Sequence, residues 1–138
     1  RTQWVGEHNG IHWYNDSKGT NVGATVAAMQ GLPGKTVLLA GGQGKEADFS
    51  PLAEVVQKYA RAVVLFGEDA EEIALALKGD IPIVFASDMN NAVQQAKDLA
   101  FIGDNVLLSP ACASFDMFTD YVERGQVFME TVRQEVLC

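Results

Sequence analysis

A chain of 138 residues with 48% hydrophobic side chains, 20% charged ones and only four prolines is sized for one globular domain with a substantial core. That composition excludes a disordered, collagenous or low-complexity chain. Eighteen acidic against ten basic side chains leave a net charge of −8, which repels a phosphate backbone and argues against nucleic acid as a partner.

Residues 2–15 place Asn9-Gly10 between two β-prone runs, and Asn-Gly supplies the positive φ angles of a two-residue hairpin turn. Asn21 is a helix cap ahead of Val22, Val26 and Met29, which recur at helical spacing. From Pro33-Gly34 onward, strand and helix alternate. Residues 36–40, 62–66, 81–85 and 105–109 are short, nearly continuous apolar runs, as expected of strands covered on both faces. Ser50-Pro51 reads as cap and first turn of a helix through Leu52, Val55, Val56 and Tyr59; Glu71 to Lys78 forms a shorter one. Met89, Ala92, Val93, Ala96 and Leu99 mark another helix, and a last one is expected to carry Phe118, Val122, Gly125, Phe128, Met129, Val132 and Val136 on one face. Pro82 cannot donate to a ladder, so its strand belongs at an edge or begins there. The series predicts an α/β fold over residues 1–138. It is a single domain built on a doubly wound, mostly parallel, Rossmann-like sheet with helices on both faces and an N-terminal β-hairpin.

No apolar run is long enough for a bilayer and no signal peptide is visible, so the protein is expected to be cytoplasmic and off the membrane. The chain begins with Arg1, not Met, and is expected to be cut from a longer polypeptide. Cys112 and the terminal Cys138 read as free thiols in a reducing compartment, with Cys112 a small buried packing residue.

In an open parallel sheet ligands gather at the carboxyl ends of the strands, and here those ends carry NDSKGTN, GGQGKEAD and SPACASFD. A phosphate loop is excluded, because Leu39 and Glu46 stand where it needs glycine and a hydroxyl residue. Gly42-Gln43-Gly44-Lys45-Glu46-Ala47 fits a G-x-G-x-x-A dinucleotide fingerprint with Glu68 as a ribose acid, yet Asp48 to Pro51 delay the helix it requires. A dinucleotide-binding regulatory module is therefore an alternative function. Lys45 can hold a carboxylate or phosphate, or be only a solvated surface lysine. Asp16, Lys18 and Thr20 can hold a ribose and anionic groups, or Asp16, Ser17 and Asn21 can simply cap the turn. Ser109, Cys112 and Ser114 have no base placed to activate them, since the only histidines are His8 and His12 in the hairpin; no metal-ligand spacing is present.

Asn15 to Asn21, Gly41 to Lys45 with Asp48-Phe49, and Ser109 to Asp116 together resemble the carboxy-terminal domain of the Mur ligases. The resemblance runs in order along essentially the whole chain, and Asn-Asp-Ser-Lys is similar to the branch that adds D-glutamate during peptidoglycan synthesis. It implies an ATP-dependent amide-forming ligase of three domains, cytoplasmic and monomeric. The first binds the UDP sugar, the central one holds ATP with Mg²⁺, and the third, this one, binds D-glutamate, closes like a lid and is inactive alone. The implied reaction activates the carboxylate of UDP-N-acetylmuramoyl-L-alanine as an acyl phosphate, which the amine of D-glutamate attacks. Carried onto this sequence, Lys45 and Thr20 would bind one carboxylate of D-glutamate, and Ser114, with backbone near Phe115 and Tyr121, the other. Arg1, Asp16 and Lys18 would reach ATP on closure. No residue here is assigned as catalytic and none as a metal ligand.

Overall fold

The computed structural model describes residues 2–77 and 79–137. Its strands are β1 (Gln3–His8), β2 (Ile11–Asn15), β3 (Thr36–Gly41), β4 (Ala60–Phe66), β5 (Ile83–Phe85) and β6 (Asn105–Leu108). They form one sheet in the order β1-β2-β6-β3-β4-β5. All neighbours are parallel except β1, which pairs antiparallel with β2. The helices are α1 (Val22–Gln30), α2 (Ser50–Tyr59), α3 (Ala70–Leu77), α4 (Met89–Leu99) and α5 (Tyr121–Glu135).

Local chemistry explains most of this order. Asn9 and Gly10 have φ of 54° and 79°, the two left-handed residues that join β1 to β2, and the Gly10 N–H donates to Glu7 Oε2 at 2.7 Å. Within the apolar runs side chains alternate between two layers. Leu38, Ala40, Val63, Leu65 and Leu107 pack with α1, α2 and α3 on one face. Val37, Leu39, Val64, Val106 and Leu108 pack with α4 and α5 on the other. The α/β fold with both faces covered is thus as expected.

Three expectations need correction. Ser50 lies inside α2, with Phe49 at the cap position, and Asp48 Oδ1 accepts from Ser50 N–H (3.0 Å) and Ser50 Oγ (2.7 Å). Ser50 thus donates to Asp48 at the first residue of α2 and is not the capping acceptor expected of it. Phe118 falls outside α5, because Asp120 caps it by accepting from Glu123 N–H at 2.9 Å; Val136 is the residue that follows its last turn, and Val122 faces solvent. The strand expected over 81–85 narrows to β5, which starts just after Pro82 and occupies the edge that the proline requires. Lys78 lies outside the described residues, so α3 is followed only to Leu77.

The chain moves outward from β3 to β4 to β5 over one face, then returns on the other through α4 to place β6 between β2 and β3. That reversal opens a crevice at the carboxyl ends of β2, β6 and β3, where such sheets hold ligands.

Candidate functional site

Three loops leave those neighbouring strand ends and are tied to one another through the main chain. Asp16 N–H donates to Leu108 O (2.7 Å), Ala111 N–H to Gly19 O (2.7 Å) and Gly41 N–H to Pro110 O (3.0 Å). Gln43 and Ala113 exchange a reciprocal pair at 3.0 and 2.9 Å. Gly42 sits at φ 130°, and a Cβ there would lie 2.2 Å from Ala113 O, so this contact admits only glycine. Half-buried acidic anchors add to the frame: Asp69 Oδ2 accepts from Gly44 N–H (2.6 Å), and Asp116 Oδ2 from Glu68 N–H (2.8 Å).

The loops enclose a cavity of about 550 Å³. Thr20, Lys45, Ser114, Phe115 and Tyr121 all line it, so the structure brings every sequence-predicted D-glutamate residue to one place. Lys45 and Glu46 both adopt left-handed φ (52° and 62°), strain that non-glycine residues carry where the surroundings demand it. The turn sets the exposed Lys45 side chain beside Phe115, with Nζ 5.6 Å from the ring centroid. Phe115 is itself 61% exposed. Ser114 is buried, while Thr20 stands just before α1, whose cap Asn21 accepts from Ala24 N–H at 2.9 Å. A cation, two hydroxyls and a helix N-terminus on one cavity suit a ligand with more than one carboxylate.

Asp16 and Lys18 do not join this cavity. They border an adjoining groove of about 460 Å³ with Thr2, Gly19 and Ala24, Ala27 and Ala28 of α1. Asp16 is not a turn cap: it is only 7% exposed, and its Oδ2 accepts from Ser109 Oγ at 2.8 Å. Arg1 lies outside the described residues. The glycine fingerprint does not become a dinucleotide site. Gly44 makes room for Phe49, whose Cζ would be 2.5 Å from an added Cβ; α2 opens only at Ser50, and Glu68 Oε1 accepts from Gln43 Nε2 at 3.4 Å.

Arg124 is the residue that reading the sequence missed. It is fully buried, with Nε donating to Ser17 Oγ (2.9 Å), Nη2 to Ser17 O (2.8 Å) and Nη1 to Cys112 O (3.0 Å). Ser17 Oγ in turn donates to Tyr121 O at 2.7 Å, so α5 is pinned to two of the loops from below. Burial pushes the guanidinium down to about 10, which leaves it charged at neutral pH. The available signal was spacing: Arg124, Phe128 and Val132 repeat every four residues along the buried face of α5.

Cys112 is buried as expected, and burial pushes its thiol up to about 12, so it is no nucleophile at neutral pH. Its folded value lies above its ordinary 9.0, so the folded state holds a proton that the unfolded chain releases. The stability this confers is complete below pH 9 and drains away toward pH 12. Denaturation curves taken between pH 9 and 10 are expected to lose stability more steeply for the parent than for Cys112→Ala; equal slopes would contradict the buried thiol.

The profile of the family described as Mur ligase, glutamate ligase domain, matches residues 1–112. UDP-N-acetylmuramoylalanine–D-glutamate ligase of Nitrosococcus oceani is 54% identical over 140 residues, covering 100% of this chain and 31% of that protein. The Pseudomonas putida enzyme of the same name is 54% identical over 94% of the chain and 30% of its own length. The chain thus spans about 30% of the length of these curated relatives. Among solved structures, a domain of a UDP-N-acetylmuramate:L-alanyl-γ-D-glutamyl-diaminopimelate ligase from Haemophilus ducreyi superposes with a TM-score of 0.64 at 18% identity, over 96% of this chain and 99% of that one. The MurF ligase of Thermotoga maritima in complex with ADP gives 0.58 at 18% identity, over 94% of this chain and 30% of that one. These last two speak for the fold, and the profile and the high-identity relatives for descent: the chain belongs to the Mur ligase family, as its glutamate ligase domain.

Proposed function

We propose that this chain is the carboxy-terminal, lid-like domain of a cytoplasmic UDP-N-acetylmuramoylalanine–D-glutamate ligase, and that its 550 Å³ cavity receives D-glutamate. The observation that carries this reading is the meeting of Thr20, Lys45, Ser114, Phe115 and Tyr121, from three loops distant in sequence, on one cavity. Lys45 and Thr20 hold one carboxylate, and Ser114 with the backbone around Phe115 and Tyr121 holds the other. Both ends of the dianion are then fixed and its amine is left to point out of the domain.

The adjoining groove fits the edge of a nucleotide. Asp16 offers a carboxylate to ribose hydroxyls and Lys18 a cation to phosphates. ATP, when bound by the remainder of the ligase, supplies the phosphoryl group that activates the carboxylate of UDP-N-acetylmuramoyl-L-alanine. Among the described residues no three His, Cys, Asp or Glu side chains converge as metal ligands, so the Mg²⁺ that accompanies ATP is assigned to the remainder as well. The part this domain plays is to carry the amine to the activated carboxylate and to exclude water while the amide forms and phosphate leaves.

Amide NMR spectra of the domain, titrated separately with D-glutamate and with NADH, test the reading. D-Glutamate is expected to move the resonances of Thr20, Lys45, Ser114 and Tyr121, NADH to move none of residues 42–47, and the domain to release no phosphate from ATP. Silence at those four amides up to saturating D-glutamate would overturn the assignment. NADH shifts over 42–47 would favour the dinucleotide-binding module instead.

A further inference from the structure

The buried hydroxyl of Ser109 has no part in the roles assigned above, yet it touches Asp16, the carboxylate that lines the nucleotide groove. Ser109 is fully buried at the end of β6, and its Oγ donates to Asp16 Oδ2 at 2.8 Å across 93 residues of sequence. Its own carbonyl accepts from Thr25 Oγ1 at 3.0 Å, and Thr25 is likewise fully buried, in α1. The Asp16 main chain is held on the same side, its N–H donating to Leu108 O at 2.7 Å. Among the described residues Asp16 Oδ1 has no hydrogen-bond partner, and Asp16 lines the groove beside Lys18. One oxygen is anchored and the other is presented.

We infer that Ser109 is a positioning residue that fixes the Asp16 carboxylate so that Oδ1 meets the ribose hydroxyls of the nucleotide, with Thr25 locking Ser109 in place. The inference rests on the reading of Asp16 as a nucleotide contact. The alternative is a structural one, in which the Ser109 hydroxyl merely satisfies the carboxylate of a buried residue. A carboxylate free to rotate would spend part of its time turned from the ribose, and the affinity lost would fall on ATP alone. Ser109 also begins the loop that carries Ser114, so the same strand end serves the nucleotide groove and the amino-acid cavity by different residues.

The test is a double-mutant cycle in the full-length ligase, with Asp16→Asn, Ser109→Ala and the pair together, reading KM for ATP and for D-glutamate. Ser109→Ala is expected to raise the KM for ATP roughly three- to tenfold, the span of one lost hydrogen bond, and to leave that for D-glutamate within about twofold. In the pair, adding Ser109→Ala to Asp16→Asn is expected to raise the ATP KM no further. If Asp16→Asn itself leaves the ATP KM unchanged, the nucleotide reading of Asp16 is wrong. If Asp16→Asn raises it while Ser109→Ala does not, or if the two effects simply multiply, the positioning role is wrong and the nucleotide reading stands. Should Ser109→Ala fail to fold, Ser109→Cys carries the cycle, since a thiol keeps the shape and only weakens the donor.

Discussion

Lys45→Ala in the full-length ligase is expected to reduce kcat/KM for D-glutamate by roughly 30-fold to several thousandfold. Truncating one partner of a charge pair desolvated by closure costs about 2–5 kcal/mol, much of it from the charge left unpaired. The loss should fall on D-glutamate and spare ATP, because Lys45 lines the amino-acid cavity and not the groove of Asp16 and Lys18. Melting of the isolated domain should be unchanged: the side chain is exposed and, among the described residues, leans on the Phe115 ring alone. Lys45→Arg keeps the charge but replaces a compact ammonium by a planar fork, and is expected to recover only part of the activity. An unchanged KM for D-glutamate with unchanged turnover would refute the assignment.

The second large effect concerns stability. Arg124→Met keeps an unbranched apolar stem but removes the three donating nitrogens, leaving Ser17 O and Cys112 O inside the protein without their partner. A buried acceptor left unsatisfied costs about 1–3 kcal/mol, so the pair outweighs the relief of no longer burying a charge, and a net loss of about 2–4 kcal/mol is expected. Denaturant midpoints of the domain check this. Arg124→Lys should recover little, since one ammonium cannot reach groups spread over two loops. A melting curve for Arg124→Met that overlays the parent's would show that the network contributes nothing net.

The two layers of the fold were legible because β3, β4 and β6 are apolar on both faces, a pattern that only a doubly covered sheet demands. The place of β6 between β2 and β3 was not, since periodicity says what a segment is and not which neighbour it takes. The same limit applies at the site. Glycines, hydroxyls and Lys45 marked the strand ends as ligand-binding, but it took the family resemblance to single out five residues and give them roles. Ser109 to Asp16 spans 93 residues and Arg124 to Ser17 spans 107, contacts that no local pattern carries. The errors were local competitions between near-equal candidates. At the start of α2 Ser50 donates to Asp48 instead of capping, and the Asp120 cap began α5 three residues after Phe118.

The rim of the cavity is held by carbonyl and amide groups, Gln43 with Ala113 and Gly19 with Ala111, while the Thr20, Lys45 and Ser114 side chains that line it take no part in those bonds. Scaffold and recognition are therefore separable. On the proposed reading, a homologue accepting a different amino acid can keep this loop path and change the side chains at positions 20, 45 and 114. Redesigning this domain for a substrate with an amide or an amine in place of one carboxylate becomes a problem of three residues on an inherited frame.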